Sequence, residues 1–427
     1  MIMKNKKLGS CGISSYTELR SKNRTYIDKT RVIELLEESE TDHAMLYRPR
    51  RFGKSLLTTM LTAYYDEAAK SNFQKNFSQT YIGANPTSEQ GMYRVLSFDL
   101  SGNDTFSWKV ILGIRDYISR YPDSLFNELR LDPEESPSNL LNRFFDILFR
   151  REKVSLFVII DESDHYCNEV LSQDKESINK LTGPSGEVED FFTTIQAATK
   201  HFVSRSFITG VLPIPRDSPN SNFNFAVDVT RVPMMAAALG FTENDVRSLI
   251  RDMLNHPEDS SESDSLIRKM KVLFSRYCFC PKSQEWVFNP NACLLFLKSL
   301  QRDCIEPDVE MDPAIVADNG KFTQILSLVP SDVIGKIVRK VLSGKPFAPE
   351  SGHMGDPINL NQISTLTEAD VIAILWHLGF LTYSQQASGK FICTNKLMRK
   401  QLCSVIWAKS GIDIDPNLRP TEASCCL

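Results

Sequence analysis

Short apolar runs alternate with amphipathic stretches along the first 240 residues. His43-Ala44-Met45-Leu46-Tyr47 predicts a strand, and Leu56, Leu57, Met60, Leu61 and Tyr64 recur at helical spacing over 54–65. Upstream, Val32, Ile33, Leu35 and Leu36 predict a short amphipathic helix entered after Asp28. Further along come a strand over 93–100, helices over 106–121 and 139–151, and the most apolar strand of the chain over 154–160. A polar loop over 171–187, a helix at 188–201 and a strand at 206–210 complete the series. Strands alternating with helices predict an α/β fold, a largely parallel sheet with helices on both faces. Ligands of such sheets sit beyond the carboxyl ends of the strands.

The pattern changes after Gly240. Helices are predicted over 243–254 and 265–276, separated by Glu258-Asp259-Ser260-Ser261-Glu262-Ser263-Asp264, an acidic stretch expected to be a flexible loop. Residues 345–362 are rich in Gly, Pro and Asn and read as a linker or long loop. A helix over 368–378, strands at 380–383 and 390–393 around Gly389, and a helix over 395–407 suggest a small winged-helix-like module. The expected organisation is a tail (1–15), a core (16–240), a helical lid domain (241–345), a winged-helix-like segment (346–410) and a second tail (411–427).

Composition narrows the function classes. The chain has 427 residues, 42% hydrophobic and 24% charged, which is ordinary for a soluble globular protein of two or three domains. A net charge of −4 gives no global attraction to nucleic acid. None of the ten cysteines forms a C-x-x-C array, and Cys278 and Cys280 are too close for half of a usual zinc site. They are expected to be free thiols. Ser424 occupies the position a prenylated cysteine would need. No apolar h-region follows Lys7, and no run of about 18 apolar residues is present. An intracellular location, cytoplasmic or nuclear, is expected, with no membrane partner and no use for the sequons at Asn23, Asn76 and Asn103.

The candidate chemistry begins after the first strand, at Arg48-Pro49-Arg50-Arg51-Phe52-Gly53-Lys54-Ser55. The phosphate-binding loop pattern is G-x-x-x-x-G-K-[ST], and its second half is intact here. Backbone N–H groups and the positive end of a following helix hold phosphates in such loops. Lys54 is expected at the β- and γ-phosphates and Ser55 at Mg²⁺, with Arg48 through Leu56 binding the nucleotide. Four cations in seven residues repel one another unless an anion compensates them. Arg48 replaces the first glycine, and Pro49 deletes one N–H.

The second signal is the apolar strand ending in Asp161-Glu162, the Walker B pattern. Asp161 is expected to hold Mg²⁺ and Glu162 to polarise the attacking water. Asp164 is a weaker candidate as a second metal ligand. Thr209, at the end of the next strand, is a candidate sensor of the γ-phosphate. Arg205, Arg216 and Arg231 are candidate arginine fingers. Asp228 and Thr230 form a polar patch with no evident purpose, and His165 reads as a solvated loop residue.

These residues together resemble the AAA-ATPase-like family, whose bacterial members often carry a PD-(D/E)xK nuclease-like domain at the C-terminus. The resemblance rests on Tyr26-Ile27-Asp28-Lys29-Thr30, Tyr47-Arg48-Pro49-Arg50-Arg51-Phe52-Gly53-Lys54-Ser55, Ile159-Ile160-Asp161-Glu162 and Phe207-Ile208-Thr209-Gly210-Val211. It continues at Leu239-Gly240-Phe241-Thr242 and Val287-Phe288-Asn289-Pro290. Arg48 in place of the first glycine is that family's habit. The resemblance implies an additional-strand P-loop NTPase core, a helical lid and a winged-helix-like segment. Two departures stand out: Ser163-Asp164 replaces the usual Tyr-Asp, and Arg276-Tyr277-Cys278-Phe279 stands where the family has Tyr-Asp-Gly-Tyr. With the chain ending near Leu427, no nuclease-like domain or nuclease activity is expected.

The resulting expectation is an Mg²⁺-dependent ATPase whose hydrolysis moves a lid, working as a possible homo-oligomer. The alternatives are an ATP-gated switch with little hydrolysis, and an ATPase that contacts nucleic acid through Lys390, Lys396, Arg399, Lys400 and Lys409.

Overall fold

The period-two alternation of strand side chains decides the layering. The computed structural model describes residues 13–22, 24–150, 154–165, 186–213, 225–283, 285–303, 329, 331–350 and 366–402. Its core begins with helices α1 (Tyr16–Ser21) and α2 (Arg31–Glu38), strand β1 (His43–Tyr47) and helix α3 (Lys54–Tyr65). Short helices α4 (Phe73–Phe77) and α5 (Tyr81–Ala84) follow, then β2 (Arg94–Asp99), α6 (Phe106–Arg120), α7 (Pro137–Phe149) and β3 (Leu156–Asp161). The core continues with α8 (Glu187–Thr199), β4 (Val203–Gly210) and the two-residue β5 (Val227–Asp228).

The five strands form one parallel sheet in the order β2-β3-β4-β1-β5. Strand β4 therefore lies between β1, which leads into the loop over residues 48–53, and β3, which ends in Asp161. Met45, Tyr47, Leu96, Phe98, Val158, Ile160 and Ile208 face a core closed by α6, α7 and α8. Ala44, Leu46, Val95, Phe157, Ile159 and Phe207 face the other core, under α2 and α3. The result is the expected three-layer α/β core. All six β3 side chains are buried, as its unbroken apolar run requires.

Beyond Gly240 come α9 (Glu243–Leu254), α10 (Ser261–Phe274), α11 (Pro290–Asp303) and α12 (Ser331–Leu342). The acidic stretch 258–264 is a helix start rather than a flexible loop. Ser260 caps α10 by accepting from the Ser263 N–H, and Glu262 and Asp264 occupy the first turn, where the helix dipole favours them. Arg247 of α9 binds both the Glu258 carbonyl and the Asp264 carboxylate at 2.9 Å.

The last described part is α13 (Glu368–His377), an antiparallel hairpin of β6 (Leu381–Tyr383) and β7 (Phe391–Cys393), and a helical run over 396–402. The hairpin and α13 fall where strands and a helix were expected; the helix expected over 395–407 is described from 396 to 402, and 403–407 lie outside the described residues. One continuous apolar cluster joins them to α9–α12 and reaches Phe52 and Val211 at the sheet's carboxyl edge. Among the described residues, no helix is long and apolar enough to cross a membrane. Both expected tails lie outside the described residues but for 13–15, as does nearly all of the 171–187 loop and most of the 345–362 linker.

Candidate functional site

The loop after β1 is shaped by two left-handed backbone positions, Arg51 (φ 68°) and Gly53 (φ 90°). Gly53 is the residue immediately before α3, and its Cβ position has no neighbour within 4 Å. Glycine is there because of φ, not crowding. The first N–H groups of α3 have no intrahelical acceptor and point out of this turn, as an anion site requires.

Lys54 folds back over the loop. Its Nζ is buried, donates to the Pro49 carbonyl at 3.4 Å and lies 4.0 Å from Glu162 Oε1. Ser55 is beside Asp161, where its hydroxyl favours the ionised carboxylate. Thr58, one helical turn on, places its hydroxyl 3.4 Å from Asp161 Oδ2. Asp161 Oδ1 accepts the Glu162 N–H at 2.8 Å, and Glu162 takes a left-handed φ of 52°. That conformation is strained for a non-glycine residue and turns Glu162 out of the strand direction.

Burial pushes the Asp161 carboxyl up to about 6; Ser55 and Lys54 oppose this, while Glu162 and Asp99 add to it. Asp99 ends β2 in register with Asp161. Hydroxyls and carboxylates are the hard oxygen donors Mg²⁺ takes, and a buried, incompletely compensated carboxylate is relieved by a cation. The residues present therefore fit the metal. Among the described residues, no group of three His, Cys, Asp or Glu suggests any other metal centre.

A cleft of about 330 Å³ opens over the loop. Arg50, Arg51, Phe52, Gly53, Lys54, Ser55, Leu56 and Glu162 form its polar end. Its other walls are Tyr26 and Ile27, Leu239, Gly240 and Phe241, Leu249 of α9, and Pro290, Asn291 and Leu294 of α11. The sequence reading placed no site residue in these walls, although their strings carried the family resemblance. Three segments far apart in sequence meet here because Phe241 bridges Phe288 and Lys29 pairs with Asp245 at 2.7 Å.

Several expected site residues are elsewhere. Arg48 does not line the cleft. Its side chain is 1% exposed, donates to the carbonyls of Tyr47, Thr230 and Met235, and lies 4.1 Å from the Phe279 ring centroid. Burial lowers its pKa to about 9. Asp228 and Thr230, the unexplained polar patch, hold this arrangement: Asp228 caps the Thr230 N–H, and the Thr230 hydroxyl accepts from the Tyr47 N–H. Pro49 contributes its carbonyl to Lys54, while its ring packs at Gly379. Phe52 lines the cleft, but its ring packs edge-on against Tyr277 and Phe279, so the altered aromatic stretch still supports the loop.

Thr209 is fully buried and donates its hydroxyl to the Leu46 carbonyl at 2.5 Å, a bond between neighbouring strands rather than a sensor position. Asp164 accepts the Val211 N–H at 2.9 Å and fixes the turn after β3 to the end of β4. Arg205 is buried near the opposite, amino end of the sheet, paired with Glu89. Arg231 bonds Tyr383 of the hairpin. Of the C-terminal basic residues, Arg399 donates to the Leu342 carbonyl at the end of α12. Arg216 and Lys409 lie outside the described residues. The described cysteines, Cys278, Cys280, Cys293 and Cys393, are free thiols.

Residues 10–218 match the model of the AAA-ATPase-like family, described as a predicted AAA-ATPase. Over these residues the chain is similar to the AAA-ATPase-like family. The matched segment holds the loop, Asp161-Glu162 and Thr209, and it ends before α9. The cleft walls formed by Leu239 to Phe241, Leu249 and Pro290 to Leu294 thus lie beyond the matched segment. No curated protein matches the chain.

Proposed function

We propose that the protein binds Mg–ATP in this cleft and hydrolyses it. The observation that carries the reading is the convergence of Lys54, Ser55 and Glu162 in the wall of one cleft, with Ser55 beside the buried Asp161, which lies 107 residues after Lys54, and with Lys54 Nζ 4.0 Å from Glu162. Lys54 and the loop N–H groups hold the phosphates, and the apolar walls take the base. Ser55 and Asp161 hold Mg²⁺, which supplies neutralising charge at the β- and γ-oxygens. Glu162 orients water for in-line attack and accepts its proton.

Leu249 of α9 and Leu294 of α11 line the same cleft, so a change of bound nucleotide is coupled to movement of these helices. The experiment is phosphate release by purified protein and by Glu162→Gln, with ATP binding followed in parallel. A variant that binds ATP but turns over at least about a hundredfold more slowly fits general-base chemistry. Equal rates remove Glu162 from the reaction and favour a switch that hydrolyses little.

A further inference from the structure

Phosphoryl transfer to water spreads negative charge over the equatorial oxygens of the γ-phosphoryl group. An arginine placed there accelerates turnover by about 10³–10⁵, whether supplied by the same chain or by a neighbour. Of the arginines nominated by the sequence, Arg216 lies outside the described residues and neither Arg205 nor Arg231 fills this place; nor does Arg48. Arg48 is buried against Phe279, Arg205 is paired with Glu89, and Arg231 bonds Tyr383.

Arg51 differs from all of these. It is exposed and lines the cleft together with Lys54 and Glu162. Among the described residues it makes no hydrogen bond or ion pair. Its backbone φ of 68° is left-handed, a conformation glycine or asparagine adopts with less strain. A long cation held in a strained position at the mouth of a phosphate cleft is explained by its side chain, not by the turn.

The geometry points to Arg51 as the catalytic cation, supplied in cis by the loop itself; this rests on the Mg–ATP reading above. The water oxygen bonds to the γ-phosphorus as the bond to the β–γ bridging oxygen breaks, its electron pair leaving on ADP. The water proton passes to Glu162. Arg51 exchanges no proton and stabilises the charge on the transferring group. The site then needs no arginine from a second copy.

The test uses the full chain, with Arg51→Ala, Arg51→Lys and Glu162→Gln. Calorimetric titration with Mg–ATPγS reads binding, and single-turnover phosphate release reads chemistry over a wide range of protein concentration. Arg51→Ala is expected to slow turnover by about a hundredfold or more while its Kd for ATPγS changes less than about fivefold. Arg51→Lys recovers part of the rate, wild-type specific activity is independent of concentration, and mixing Arg51→Ala with Glu162→Gln restores nothing. A wild-type rate in Arg51→Ala overturns the proposal. So does a Kd loss as large as the rate loss, or activity regained in the mixture, which places the cation in trans. Wild-type protein that binds no ATPγS overturns the underlying nucleotide reading as well, and the titration alone identifies that failure.

Discussion

The guanidinium of Arg48 sits 4.1 Å from the centre of the Phe279 ring, joining the first residue of the phosphate loop to the region beyond the parallel sheet. Where the loop pattern has its first glycine, this chain has a side chain that leaves the loop and satisfies three buried carbonyls. The loop is thereby anchored from behind.

Arg48→Met removes that charge and leaves the carbonyls of Tyr47, Thr230 and Met235 without their donor. Leaving a buried acceptor without its donor costs about 1–3 kcal/mol. A marked fall in Tm is expected, with ATP affinity of the remaining folded protein little changed at low temperature. A stable variant with lost affinity would place Arg48 at the phosphates instead.

Lys29 and Asp245 form a partly buried pair, and Asp245 Oδ2 also accepts the Thr242 N–H in the capping box of α9. This contact fastens the Tyr26–Ile27 wall of the cleft to α9. Lys29→Met is expected to raise the nucleotide dissociation rate roughly tenfold, about 1.4 kcal/mol, with single-turnover chemistry unchanged. Stopped-flow displacement of a fluorescent ATP analogue measures it, and an unaltered off-rate dissociates the pair from cleft opening.

In the proposed site Mg²⁺ needs Asp161 ionised, and the Asp161 carboxyl is raised to about 6 by burial. Below that pH the proton competes with the cation, so apparent affinity rises about tenfold per unit up to pH 6 and levels above it. Asp161→Asn flattens the profile and weakens Mg²⁺ dependence. A wild-type profile already flat between pH 5 and 7 contradicts the assignment.

His377 is half-buried between Trp376 and Tyr47 and hydrogen-bonds the Val211 backbone. Burial, with Arg231 and Arg48 nearby, lowers its pKa to about 3. A base with a depressed folded pKa adds stability above its unfolded value near 6.5, lost as pH falls from there toward 3. The contribution is up to about 1.4 kcal/mol per unit. Denaturant melts of His377→Gln across pH 4–8 are expected to lose that share of the slope; an unchanged slope assigns the acid sensitivity to other groups.

The core was legible because its signals are local. An unbroken apolar run makes β3, and alternating strand positions divide the sheet faces. Gly53-Lys54-Ser55 and Asp161-Glu162 sit at strand ends where ligand chemistry collects. The misreadings share one cause, since side-chain direction is not written in spacing. Arg48 and Thr209 occupy positions that suggest phosphate contact, yet both satisfy carbonyls that the sheet buries. The acidic 258–264 stretch looked disordered by composition, but its serine and carboxylates match the needs of a helix start. The cleft walls were invisible as a site because Tyr26, Leu249 and Leu294 are ordinary apolar residues, united only by tertiary folding.

The central claim is that Lys54 and the Asp161-Glu162 pair serve one magnesium–triphosphate. Calorimetric titration of Mg–ATPγS into wild-type protein and Lys54→Ala tests it directly. The account predicts a single site per chain in the wild type and affinity weakened by at least about a hundredfold, some 2.7 kcal/mol, in the variant. Equal binding by both proteins, or none by either, would contradict it.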